Sequence, residues 1–168
     1  AIPITMTLNR FGDHDPQALM YVLDEKIGDV RLQEQQPLPD RVSTGLRKDA
    51  IQPLVIRANV GDCLTLRFTN RLRAGMASMH LHGIPHSVAN AGDEVGLNPN
   101  TMAAPGHALT YRMQVPNDPL AERAHYFHSG GDARDQISHG LFGALVVEPR
   151  GSTWRDPETG APLARNNW

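Results

Sequence analysis

A chain of 168 residues with 40% hydrophobic residues, 20% charged residues and a formal net charge of −2 can bury one real core. It shows no basic block for nucleic acid or an anionic membrane, and no run nears the ~18 apolar residues of a spanning helix. One cysteine excludes an internal disulfide framework and any cysteine-rich zinc site, and a start at Ala1 reads as a processed, engineered or fragmentary chain.

Thirteen prolines and fifteen glycines spread along the chain punctuate it into short segments, which predicts an all-β domain. "ITMTLN" (4–9) and "ALMYVLD" (18–24) read as two early strands. Residues 25–52 are polar and irregular, with "QEQQPLPD" too rich in proline and polar groups for a core strand, and read as a long connection that can hold a helical turn. "PLVIRA" (53–58) is apolar on both faces, which suits a central strand or one lying against a neighbouring domain. "DCLTLRFTN" turns Leu64, Leu66 and Phe68 inward, and "ALTYRMQVP" does the same with Leu109, Tyr111, Met113 and Val115. "SGGDARDQ" reads as a flexible acidic loop, and "LFGALVVEP" (141–149) as a second strand apolar on both faces. The expected layout is a β-sandwich over 53–149, an N-terminal extension over 1–52 that adds strands, and a tail or linker over 150–168.

The chemistry concentrates in the histidines. His80 and His82 in "MHLHG" share one strand face, so both imidazoles can converge on a metal, and Gly83 lets the chain turn clear of the site. His125 and His128 lie three apart and therefore on opposite faces, which leaves His128 as the ligand of its strand and His125 as a surface or packing residue. The position that shares a face with His128 is Gly130. His139 opens the last strand and either caps it or reaches back to the metal. Asp132 and Asp135 either pair with Arg134 or offer an oxygen ligand. His14, His86 and His107 sit beside Asp, Pro or Gly and read as solvated loop residues, although "HLHGIPH" keeps His86 near the pair. Cys63 falls on the outward face with Thr65 and Arg67 and reads as an ordinary strand residue, not a copper thiolate.

"IRANVGDCLTLRFTN", "HLHG", "PGHALTYRMQVP" and "FHS…HGLFGALVVEP" occur in the order seen in the N-terminal cupredoxin domain of multicopper oxidases, and over about residues 50–150 the chain resembles that domain. "NRFGDHDP", "MYVLDE" and "GSTWRDPETGAPL" resemble flanking stretches of large bacterial members, manganese-oxidase-like ones among them. The resemblance implies a Greek-key, cupredoxin-like sandwich and copper as cofactor. It also implies a share in a trinuclear cluster that reduces O2 to water, with electrons arriving from a type 1 copper on another cupredoxin domain. By that resemblance His80 is a type 2 ligand and His82 and His128 are type 3 ligands; where the family places a further histidine this chain has Gly130, so that His139 or a water completes the coordination or the position is vacant. Copper nitrite reductases place a cysteine directly after the histidine, where this chain has Ser129.

Three functions stay open. The chain is an oxidase component, inactive alone, whose phenol or metal-ion substrates are oxidised elsewhere in an assembly with a further domain, another chain or another copy. Otherwise it is a non-catalytic cupredoxin-like assembly module, or a mononuclear histidine-ligated metal site. No residue is assigned a catalytic role apart from metal ligation, and an exported location, extracellular or periplasmic, follows from the resemblance alone.

Overall fold

The computed structural model describes residues 1–44 and 49–163; the remainder of the 25–52 connection and of the tail lies outside the described residues. Among the described residues, twelve strands and three α-helices follow in the order β1 (Ile2–Pro3), β2 (Met6–Thr7), β3 (His14–Asp15), β4 (Leu19–Met20), α1 (Ile27–Glu34), α2 (Leu38–Arg41), β5 (Leu54–Asn59), β6 (Cys63–Thr69), β7 (His80–Leu81), β8 (Ala108–Gln114), β9 (Ala124–His128), α3 (Ala133–Ser138), β10 (Phe142–Glu148), β11 (Trp154–Arg155) and β12 (Pro162–Leu163).

The fold is a Greek-key β-sandwich of cupredoxin type. One layer has the strand order β5-β10-β9-β7, parallel between β5 and β10 and antiparallel elsewhere. The other layer pairs β6 with β8 antiparallel over seven residues, from Cys63↔Gln114 to Thr69↔Ala108. Alternation decides what each layer buries: Phe68, Tyr111, Met113 and Val115 from one side meet Leu81, Phe127, Leu145 and Val147 from the other. Of the two strands expected to be apolar on both faces, β10 is interior to its sheet, whereas β5 is the edge strand and leaves Val55 41% exposed.

The N-terminal extension does add strands, though only two residues at a time: β1 pairs with β4, and β2 with β3. Its apolar residues Ile2, Ile4, Ala18, Met20, Val30 and Ile51 form a second small core. Tyr21 bolts this unit to the sandwich. Its ring stands edge-on to Phe127 (centroids 5.3 Å apart) and Phe68 (6.1 Å), and its hydroxyl donates to the Ser78 carbonyl.

Three local readings are corrected. The 25–52 connection carries two helices rather than a single turn. The "SGGDARDQ" loop winds into α3, because the Asp132 carboxylate accepts the Asp135 backbone N–H at 3.3 Å and caps the first turn. The tail after Pro149 folds back as the β11–β12 hairpin.

Candidate metal centre

The end strand β7 is short, yet its ladder to β9 sets the site. His80 lies opposite His128 and Leu81 opposite Phe127, and the His82 N–H continues the pairing to the Tyr126 carbonyl at 3.0 Å. Leu81 and Phe127 therefore point into the core, and His80, His82 and His128 are left together on the outer face. One ring nitrogen from each of the three lies within 4.8 Å of the others, and among the described residues this is the group of three donors that could hold an ion. The ring centroids are 4.6 Å apart for His80 and His82, 5.4 Å for His80 and His128, and 5.0 Å for His82 and His128.

Backbone carbonyls prepare the donor atoms. His80 Nδ1–H donates to the Ala91 carbonyl at 2.6 Å and lies 3.5 Å from the Asp93 carboxylate. His128 Nδ1–H donates to the Ser129 carbonyl at 2.7 Å. Carbonyl oxygens only accept, so in both rings Nδ1 carries a hydrogen, which leaves Nε2 as the atom available to a metal. His82 Nε2 lies 2.9 Å from His128 Nε2. Its ring stacks on Tyr126 with centroids 4.3 Å apart and planes within 6°. Burial, followed by the neighbouring imidazoles of His80, His128 and His86, holds the His82 pKa below the ordinary histidine range and favours the neutral form that a metal requires.

The structure does not bring His139 into this group. It caps the C-terminus of α3, and both ring nitrogens face carboxylates, Nδ1 at 2.7 Å from Asp15 and Nε2 at 3.6 Å from Asp135. The hydrogen bond to Asp15 raises its pKa and favours the imidazolium, which has no lone pair to offer. Its carbonyl accepts the Leu19 N–H at 2.7 Å, so the residue fastens the extension to the β9–β10 connection. His125 is 5% exposed, with Nε2 3.0 Å from the Ala121 carbonyl, which decides for packing over a surface role. Cys63 is exposed on β6, as expected.

Gly130 is not an empty socket. A Cβ there would stand 2.2 Å from the Gly92 carbonyl oxygen and 3.1 Å from the Asp93 Cα. Buried Ser78 ties these segments together: its hydroxyl donates to the Gly92 carbonyl and accepts the Gly130 N–H at 2.7 Å. Buried Ser129 accepts the Ser78 N–H at 3.1 Å. Neither serine carries a motif that would have marked it in the sequence. His86 also departs from the solvated reading: it is half-buried, with its ring centroid 5.9 Å from that of His80.

Copper fits three imidazoles whose donor atoms converge at the edge of a sandwich, and the fold and site together define a cupredoxin-like domain. A family model described as multicopper oxidase matches residues 40–152, and the chain belongs to that family, whose cofactor is copper. It is 40% identical over 108 residues to the multicopper oxidase MmcO of Mycobacterium tuberculosis, covering 64% of this chain and 19% of that protein. It is 32% identical over 106 residues to a probable nitrite reductase-hydroxylamine oxidoreductase fusion protein of Kuenenia stuttgartiensis, covering 62% of this chain and 12% of that one. Among solved structures, a multi-copper oxidase from Pseudomonas thermotolerans superposes with a TM-score of 0.51 at 25% identity, covering 67% of this chain and 29% of that one. A copper nitrite reductase from Nitrosomonas europaea superposes at 0.58 over 90% of this chain and 40% of that one, and at 16% identity it shows the fold alone. The chain thus spans 12 to 19% of the length of these curated relatives.

Proposed function

We propose that this chain is the copper-binding N-terminal domain of a multicopper oxidase and contributes His80, His82 and His128 to an O2-reducing trinuclear site that another domain or chain completes. The observation that carries the proposal is the convergence of the three imidazole donors within 4.8 Å on the open face of the sheet. When bound, copper supplies the one-electron chemistry by which the family reduces O2. The chain's own part is to hold the His80 and His128 rings by Nδ1 on backbone carbonyls and to offer a surface for the completing domain.

That surface is the outer face of the four-stranded sheet. Register places Val55, Ala144 and Tyr126 in one row and Phe142, His128 and His80 in the next. Val55, Tyr126 and Phe142 are 41, 51 and 40% exposed, so an apolar and aromatic patch runs up to the donor group. Cys63 lies on the other layer, which supports an electron-entry copper housed outside this chain. An exported location fits the family, and among the described residues no helix is long and apolar enough to cross a membrane.

The closed space at Gly130 favours a second reading, a mononuclear site, because the family's further histidine has no room there. Copper counting separates the two. Full chain assembled with its completing domain should take up three coppers at the shared site, and the chain alone should show no intense thiolate-to-copper absorption when loaded. One copper in the assembled protein supports the mononuclear reading, and an intense blue colour from the chain alone refutes the ligand assignment.

A further inference from the structure

We propose that His86 is a fourth imidazole donor to a single copper held by His80, His82 and His128; this rests on the mononuclear copper reading above. The end of β9 cannot supply that donor, since any side chain at position 130 meets the backbone of Gly92 and Asp93. The turn after β7 brings another histidine back to the same place. Gly83 has φ +75°, a left-handed conformation open to glycine, and a Cβ there would stand 2.6 Å from His125 Nδ1. The reversal buries Ile84 and returns His86 to the side of His80, with the two rings edge-on at 84°.

His86 is prepared as its neighbours are. Its Nδ1–H donates to the Ile84 carbonyl at 2.8 Å, which leaves Nε2 as the atom available to a metal. With metal–nitrogen bonds of about 2 Å, two imidazoles on one ion have centroids about 4.5 to 6 Å apart, depending on the angle between them. The three pairs within the tight group meet this spacing, and so does the 5.9 Å between His86 and His80. His86 lies outside the 4.8 Å group and approaches it through His80, so ligation requires the ring of this half-buried residue to move toward the group. Four imidazoles suit copper in either oxidation state.

The test is titration of the full chain with one equivalent of Cu(II), read by competition with a chelator and by pulsed EPR counting of coordinated imidazoles. His86→Gln should weaken binding by at least about tenfold and remove one imidazole from the count. His107→Ala, an exposed loop histidine, should change neither. A His86→Gln protein that melts like the wild type, binds within twofold of it and keeps its imidazole count overturns the proposal while leaving the three-histidine site intact. A wild-type chain that takes up no copper refutes the copper reading itself.

Discussion

Gly130→Ala adds one methyl group where the family's pattern would place a whole imidazole. The new carbon would stand 2.2 Å from the Gly92 carbonyl oxygen, more than an ångström inside an ordinary contact of about 3.5 Å. No flexible side chain can yield, because the opposing atoms are backbone. That backbone is held by the Ser78 hydroxyl on the Gly92 carbonyl and by the Thr101 hydroxyl, which accepts the Asp93 N–H at 3.0 Å. Overpacking of this kind costs about 1–3 kcal/mol, and displacing the two Ser78 hydrogen bonds adds about 1 kcal/mol each. The sum, about 3–5 kcal/mol, corresponds to a fall in melting temperature of roughly 6–20 °C for a domain of this size. Circular dichroism melts of the metal-free chain measure it. Gly130→His should be at least as destabilised and should not gain a copper-bound nitrogen. A fall below about 2 °C for Gly130→Ala, or a stable Gly130→His with an added imidazole, would show that the Gly92–Asp93 segment is not fixed and that this reasoning is wrong.

Removing a donor and removing a packing residue should separate cleanly. His82→Ala is expected to lower copper affinity at least about tenfold, whereas His125→Ala should lower the melting temperature and leave the affinity within a factor of about two. Equal losses of affinity in the two variants would contradict the strand register. The Asp15–His139 pair sets a pH window. The hydrogen bond to Asp15 raises the His139 pKa, so its contribution is complete below the ordinary histidine value of 6.5 and disappears as pH rises through the raised one. For Asp15, burial pushes upward, but the hydrogen bonds from His139 and the Gln17 N–H outweigh it and place the pKa below 3.8. Its contribution is complete above 3.8 and disappears as pH falls through the lowered value. Melting temperature against pH should therefore show the pair's contribution greatest between about 4 and 6.5, and His139→Gln should flatten that part of the profile; an unchanged profile in the variant would exclude the pair as its source.

Much of the histidine grouping was legible because strand parity is a local property. The two-residue period places His80 with His82 and separates His125 from His128, and the same period identifies the inward residues of β6 and β8. What stayed hidden depends on partners distant in sequence. Asp15 meets His139 across 124 positions, and the backbone that fills the space beside Gly130 comes from residues 92 and 93. Ser78 and Ser129 matter only through the carbonyls and N–H groups that the fold brings to them. The placement of His86 follows from a single positive φ at Gly83, whose glycine marks a turn without fixing its direction. The helix in "SGGDARDQ" had a local sign, Asp132 three residues before Asp135, which the neighbouring glycines obscured.

The parallel pairing of β5 with β10 joins Leu54 to Gly143 and Asn59 to Glu148, so the first and last strands of the sandwich lie side by side. A chain emerging from the ribosome cannot close this sheet until residue 148 has appeared, and His80 must wait for His128 before it has a partner. High contact order of this kind slows folding and leaves apolar edges uncovered while the chain is incomplete. Formation of the imidazole group is consequently a late event that marks a finished sandwich.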